Sequence, residues 1–251
     1  MKKITLLTLS LIMFMSLYSN KTVTTVSDPW PPFVFDDGIN DGIAVEIVRE
    51  ALKTQGYETK HENVPWARAL AGTKEGVYDL ITSIWMTEER KNDYLYSDHF
   101  MDNTIKFIKL KDDDFEFTNL SSLDGKRIGL IRGYSYESNF VNAGNYSKDE
   151  VNDFITNLNK LLVKRIDLTV EDEIVARSII SDKNPSAYDK IEFVSTPLDQ
   201  KKLFVVAGLK NPRHKDLIDA FNKGLKIIID NGTYYKILEK YGVYGYKYVQ
   251  N

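Results

Sequence analysis

Leu123-Asp124-Gly125-Lys126-Arg127-Ile128-Gly129 continues into Leu130-Ile131-Arg132-Gly133-Tyr134-Ser135. Residues 127–131 read as a strand, Gly133 as a turn and residues 136–141 as a helix. Just upstream, a β-rich run over 105–110 ends in Lys111-Asp112-Asp113-Asp114, an acidic connector. A new α/β unit thus begins behind the connector, in a chain whose length allows one large domain or two small ones. Downstream, Val151, Phe154, Ile155, Leu158 and Leu162 recur at helical spacing. Residues 166–170 follow as a short strand, Glu171-Asp172-Glu173 opens the next helix, and residues 191–195 and 203–207 read as strands.

The first half has the same alternation. Residues 22–26 read as a strand, and Ser27-Asp28-Pro29-Trp30-Pro31-Pro32-Phe33 as a rigid loop, because three prolines fix the backbone and remove donors. A turn-rich stretch, 36–42, leads into Val45, Val48, Ala51 and Leu52 at helical spacing. Pro65 precedes a second amphipathic helix carrying Trp66, Ala69 and Leu70, closed by Gly76. Residues 79–84 form an apolar strand, after which Thr87 is an N-cap with Glu88 and Glu89 in the first turn. Near the end, Leu217, Ile218, Phe221, Leu225 and Ile228 make one helical stripe. Asp230-Asn231-Gly232 breaks it, and Thr233 caps a last helix with Ile237 and Leu238.

The first twenty residues have a different character. Lys2 and Lys3 precede an uncharged run, 4–18, rich in Leu, Ile, Met and Phe, which is the layout of a signal peptide over 1–20. The run is short for a membrane span, and no later segment resembles one. Cysteine is absent, so stability rests on core burial rather than disulfides. The formal charge is −3, and removal of Lys2 and Lys3 makes it −5. No basic stretch supports nucleic-acid binding. His61, His99 and His214 lack metal-ligand spacing, and no nucleophile or phosphate-loop motif is present.

Four separated stretches converge on one family. They are the turn glycine and helix of 42–52, Thr87-Glu88-Glu89-Arg90 followed by Tyr96-Ser97-Asp98, the opening 123–129, and Phe221-Asn222-Lys223-Gly224-Leu225 with Asp230-Asn231-Gly232-Thr233 through Tyr241-Gly242. Together, and in this order, they resemble the family 3 extracellular solute-binding proteins of ABC transporters. The resemblance implies an α/β, two-lobed, type II periplasmic-binding-protein (Venus flytrap) fold with two crossover strands, near 107–111 and 203–208. Lobe one would span 22–108 and be completed by 209–251. Lobe two would span 109–208. It implies a periplasmic monomer that captures a small amino-acid-like ligand, a carboxylate or amino acid, between closing lobes and delivers it to an ABC permease. No cofactor, metal or catalytic residue is expected. The alternatives are a dehydratase-like enzyme built in the same cleft and a soluble partner of a membrane receptor.

The resemblance also implies ligand-binding residues. Arg90 matches the arginine that grips a ligand carboxylate, a task suited to a guanidinium fork. Thr87 belongs to the same segment. Gly133-Tyr134-Ser135 matches the lobe-two segment whose hydroxyl meets that carboxylate from the other side, with Ser135 as the donor. An N-cap role for Ser135 is the alternative. Asp172 matches the acid that receives an α-ammonium group, though acids are also common in a first helical turn. Trp30 matches an aromatic wall, and Trp66 is a second candidate wall, with core packing the alternative for both. Trp85 departs from the pattern, because a small residue usually stands there. Arg68, in Pro65-Trp66-Ala67-Arg68, adds a second positive charge or lies on a solvated helix face.

Overall fold

The computed structural model describes residues 21–132 and 134–248. The signal segment expected over 1–20 lies outside them, as does Gly133. The chain runs β1 (Lys21–Ser27), α1 (Ile43–Thr54), β2 (Tyr57–Asn63), α2 (Trp66–Lys74), β3 (Leu80–Trp85), β4 (Tyr94–Tyr96) and β5 (Met101–Leu110). It continues with β6 (Arg127–Ile131), α3 (Ser138–Asn142), β7 (Ser147–Val151), α4 (Phe154–Leu162), β8 (Leu168–Asp172) and α5 (Glu173–Lys183). Then come β9 (Ile191–Phe193), β10 (Asp199–Gly208), α6 (His214–Asp230) and α7 (Thr233–Lys240).

The strands form one continuous sheet in the order β2-β1-β3-β10-β5-β8-β6-β7, with β4 on β10 and β9 on β5. The two outer groups are parallel: β1 with β2 and β3, and β6 with β7 and β8. The long central strands β5 and β10 join the two groups. They pair antiparallel from Met101↔Leu203 to Ile105↔Asp199. The far end of β10 then continues into the first half on β3 and β4, and the far end of β5 into the second half on β8 and β9. These are the two crossover strands. They meet each other a few residues before the stretches 107–111 and 203–208 read from the sequence.

Separate apolar clusters fill the two halves. In the first, α1 buries Ile43, Ala44, Ile47, Val48, Ala51 and Leu52 against Leu217, Phe221, Leu225 and Ile228 of α6. A smaller cluster around Val26, Val64, Ala69, Ile81 and Val206 lies on the other face of the sheet. In the second half, Phe107, Leu123, Leu130, Phe140 and Val170 form one cluster, and Ile108, Phe154, Leu158, Leu161 and Ile180 another. Two glycines permit close approaches. A Cβ on Gly42, whose φ is 106°, would lie 2.3 Å from the Phe33 carbonyl oxygen. One on Gly224 would lie 2.0 Å from the Ala51 carbonyl oxygen, so α6 crosses α1 with no side chain between.

Asp79, just ahead of β3, ties the first half together. Its carboxylate accepts from the Thr24 backbone N–H and hydroxyl, from the Asn211 amide at 2.9 Å and from Arg213 Nη2 at 2.7 Å. Burial raises its pKa, but these donors outweigh burial and hold it below the ordinary 3.8.

The sequence reading misses β2 and β7, the two outermost strands, and the short β4. It instead counts Val151 as part of a helix, whereas Val151 ends β7 and α4 starts at Phe154. Both edge strands are polar, Tyr-Glu-Thr-Lys-His-Glu-Asn and Ser-Lys-Asp-Glu-Val. Charges on an edge discourage pairing with other chains and erase the apolar alternation that marks a strand.

Candidate functional site

The proline loop after β1 presents Trp30. Phe33 is fully buried and anchors the loop, and Trp30 stacks on it with ring centroids 4.5 Å apart. Tight backbone bonds, Phe33 N–H and Val34 N–H to the Trp30 carbonyl, close the turn. Trp85, the last residue of β3, meets Trp30 edge to face at 5.5 Å and Tyr134 of the second half at 6.1 Å. Its Nε1 donates to Asn103 Oδ1 at 2.8 Å. Lys201 Nζ sits 5.4 Å from the Trp85 ring centroid and is ion-paired with Asp199 at 2.9 Å. Trp85 therefore touches residues from both halves and from both crossover strands.

Arg90 begins a short 3-10 turn, Arg90–Asn92, whose first N–H donates to Thr87 Oγ1 at 3.3 Å. No α-helix follows Thr87, so the N-cap expected there caps this single turn. The half-buried Arg90 side chain has Nη1 2.9 Å from the Trp85 carbonyl oxygen and its guanidinium carbon 5.4 Å from the Trp66 ring centroid. Among the described residues it has no acidic partner. Trp66 opens α2, and Arg68 follows two residues later, about 200° around the helix. Arg68 is exposed and has no recorded side-chain partner among the described residues.

In the second half, Tyr134 and Ser135 lie in the loop after β6. The next helix starts only at Ser138, behind Glu137, so Ser135 is not at a helix N-terminus. Ser135 is half-buried and has no hydrogen-bond partner among the described residues. Burial raises the Tyr134 hydroxyl pKa well above 10, and the nearby Glu171 carboxylate adds to the effect.

Asp172 ends β8 and caps α5. It is 0 % exposed. Its Oδ1 accepts from Val175 N–H at 3.0 Å and its Oδ2 from Thr104 N–H of β5 at 3.1 Å. Burial pushes its pKa up to about 6 against these stabilising bonds. Asn103 Nδ2 makes no hydrogen bond of ordinary geometry, though the amide sits near enough to Asp172 to favour its charged form. Glu171 is 1 % exposed, accepts the Asp172 N–H at 2.8 Å through Oε1 and leaves Oε2 without a partner. Burial lifts its pKa well above 4.5.

The structure thus brings Trp30, Trp85 and Tyr134 together, and joins Trp66, Arg90 and Thr87 to them through Trp85. Asp172 is connected through Asn103. Arg68 and Ser135 stand without such contacts. Sequence reasoning missed Asn103 and Lys201. Asn103 had a signal: it occupies an inward position of β5 between Met101 and Ile105, where a polar residue must find a partner. Lys201 had none. A separate groove of about 1130 Å³ runs between the proline loop, α5 and residues 241–244, and reaches none of Trp30, Trp85, Arg90 or Tyr134. Ion pairs such as Glu173–Arg177 and Asp182–Lys183 already satisfy charges along it. Among the described residues no group of acids and histidines is arranged for a metal, and no helix is long and apolar enough to cross a membrane.

Comparison with known proteins agrees with the two-part architecture. An ancestral arginine-binding protein solved with arginine superposes with TM-score 0.72 at 22% identity, over 89% of this chain and 99% of that one. A histidine kinase sensor domain similar to periplasmic binding proteins gives 0.73 at 18% identity, over 88% and 96%. In sequence, the L-cystine-binding protein TcyJ of Escherichia coli (strain K12) is 25% identical over 84% of this chain and 79% of its own length. The arginine-binding extracellular protein ArtP of Bacillus subtilis (strain 168) is 24% identical over 88% and 86%. The model of one family accounts for residues 23–244, nearly all that the fold uses. The chain belongs to the bacterial extracellular solute-binding proteins, family 3.

Proposed function

We propose that this protein captures a small, amino-acid-like carboxylate between its two lobes and hands it to the membrane permease of an ABC importer. In this reading it is exported to the periplasm by a cleaved signal segment over 1–20, and works there as a monomer that binds without turnover. The lobes divide at the crossover strands, with 22–108 and 209–251 on one side and 109–208 on the other. Relatives named for cystine, arginine and histidine binding support the ligand class.

The observation that carries the proposal is Arg90. A half-buried guanidinium, tied by one arm to the Trp85 carbonyl and stacked on Trp66, has no acid of its own among the described residues. Its remaining N–H groups suit a carboxylate fork, and the partly desolvated setting strengthens that contact. Ser135 approaches the same carboxylate from the second lobe, with Thr87 beside it. Trp30, Trp66, Trp85 and Tyr134 supply the walls. Arg68 stays on the solvated side.

A thermal-shift screen of amino acids and small organic acids tests this. A ligand raises the melting temperature by mass action. Arg90→Ala should remove the shift, because truncating one partner of a buried charge pair costs about 2–5 kcal/mol. A shift of undiminished size in Arg90→Ala would falsify the assignment.

A further inference from the structure

We propose that Tyr246, in the C-terminal segment after α7, is a positioning residue for the ligand site: its hydroxyl sets the place of Asn103 and, through it, of Trp85. The proposal rests on the binding reading above and adds to it a residue that touches no ligand. Three tyrosines from the end of the chain grip the approach to the crossover strand β5. Tyr234 Oη donates to the Phe100 carbonyl at 2.7 Å, and Tyr248 Oη to the His99 carbonyl at 2.8 Å. Tyr246 reaches β5 itself. Its hydroxyl oxygen accepts the Asp102 backbone N–H at 2.9 Å, and its proton faces Asp102 Oδ2 at 3.2 Å. The ring rests against the fully buried Tyr234, with centroids 6.4 Å apart, so the core of the first half holds it.

Alternate residues of a strand turn their amides to the same edge. Asp102 and Thr104 present theirs on the edge of β5 that pairs with β8 from Ile105 onward. The Thr104 N–H goes to Asp172 Oδ2 at 3.1 Å. The two amides that flank Asn103 are therefore held by side chains from opposite halves, Tyr246 from the first and Asp172 from the second. Asn103 is fully buried between them, and across the ribbon it pairs with Lys201. With its backbone fixed on both sides, its side-chain oxygen meets Trp85 Nε1 at 2.8 Å. Trp85 in turn contacts Trp30 and Tyr134, and its carbonyl receives Arg90 Nη1 at 2.9 Å. Contacts thus run without a gap from Tyr246 through Asp102, Asn103 and Trp85 to the guanidinium of the site. Removing one hydroxyl at Tyr246 releases the Asp102 amide and leaves only Asp172 to fix this edge.

Tyr246→Phe, which keeps the ring and removes only the hydroxyl, tests this against Tyr248→Phe, which loses a bond of the same tail ahead of β5. Nitrogen-15 spectra resolve the indole N–H groups of the three tryptophans, and Trp85→Phe assigns one of them. In the empty protein, Tyr246→Phe should move the Trp85 indole signal and speed its exchange with solvent, while Tyr248→Phe leaves both as in wild type. Calorimetric titration with L-cystine, L-arginine and L-histidine supplies the second readout. The best binder of the three should bind Tyr246→Phe about fivefold more weakly, the scale of one hydrogen bond, and Tyr248→Phe as tightly as wild type. An unchanged Trp85 signal in Tyr246→Phe overturns the proposal. So do equal changes in the two variants, which would mean a general loosening of the tail, and so does an affinity that Tyr246→Phe leaves intact. If none of the three amino acids binds the wild type, the binding reading fails, and the indole signal alone still decides whether Tyr246 places Trp85.

Discussion

Trp85 and Asn103 are joined by a single hydrogen bond, indole Nε1 to amide Oδ1 at 2.8 Å, that pins the end of β3 to the first crossover strand. Asn103 is 0 % exposed, so its oxygen has no water to turn to if the indole is lost. Trp85→Phe should therefore cost about 1–3 kcal/mol from the unsatisfied acceptor, beyond any packing loss. Urea unfolding of Trp85→Phe, Asn103→Val and the double variant reads the coupling. If the two losses simply add, the bond contributes nothing.

The crossing of α1 and α6 depends on Gly224. Alanine there places a methyl 2.0 Å from the Ala51 carbonyl oxygen, a contact that only backbone movement relieves. Gly224→Ala should destabilise the protein by about 1–3 kcal/mol or more, measured as a lower urea midpoint. Alanine at Gly144, which has open space around it, is the control and should be nearly neutral.

Asp79 sets part of the acid limit. Its folded pKa is depressed, so its stabilisation is complete above the ordinary value of 3.8 and is lost as pH falls through the lower folded value. Arg213 is partly exposed, and screening keeps the contribution to about 1–2 kcal/mol. Asp79→Asn should lower stability at neutral pH and flatten the loss below pH ~4. Chemical denaturation at a series of pH values provides the readout.

Much of this was legible before the structure. Helices announced themselves because one face of each is apolar, and the inner strands because both faces are covered. The polar edge strands had no such pattern. At the candidate site, motif position nominates Trp30 and Arg90, which local segments hold. The state of Asp172 was not legible, because its burial depends on Thr104, which lies far away in sequence and arrives through strand pairing. Ser135 illustrates the same limit: a serine after a turn suggests a cap, yet α3 starts too late for it to serve as one.

Asp172 gives the opposite pH signature to Asp79. Its folded pKa is raised from 3.8 to about 6, so the folded state holds the proton more tightly. Ionisation at neutral pH thus carries a penalty, and stability should increase as pH falls through 6 and level off near 4. The full shift corresponds to a penalty on the order of 2–3 kcal/mol. Asp172→Asn should abolish this component in a comparison of unfolding midpoints at pH 7 and pH 5. A midpoint difference identical to wild type would rule it out.

The two central strands remain paired from Met101↔Leu203 to Ile105↔Asp199 where the chain passes between halves. A two-stranded ribbon tolerates a wide range of twist. Small changes of twist spread along its length would turn one half against the other with every inter-strand bond kept. Amide protons of the paired segment should then exchange slowly with solvent deuterium whether the protein is empty or loaded, while the faces that meet on closure change their exchange. Slow exchange in both states would mark the joint as a torsion spring rather than a latch, one that ligand binding need not break.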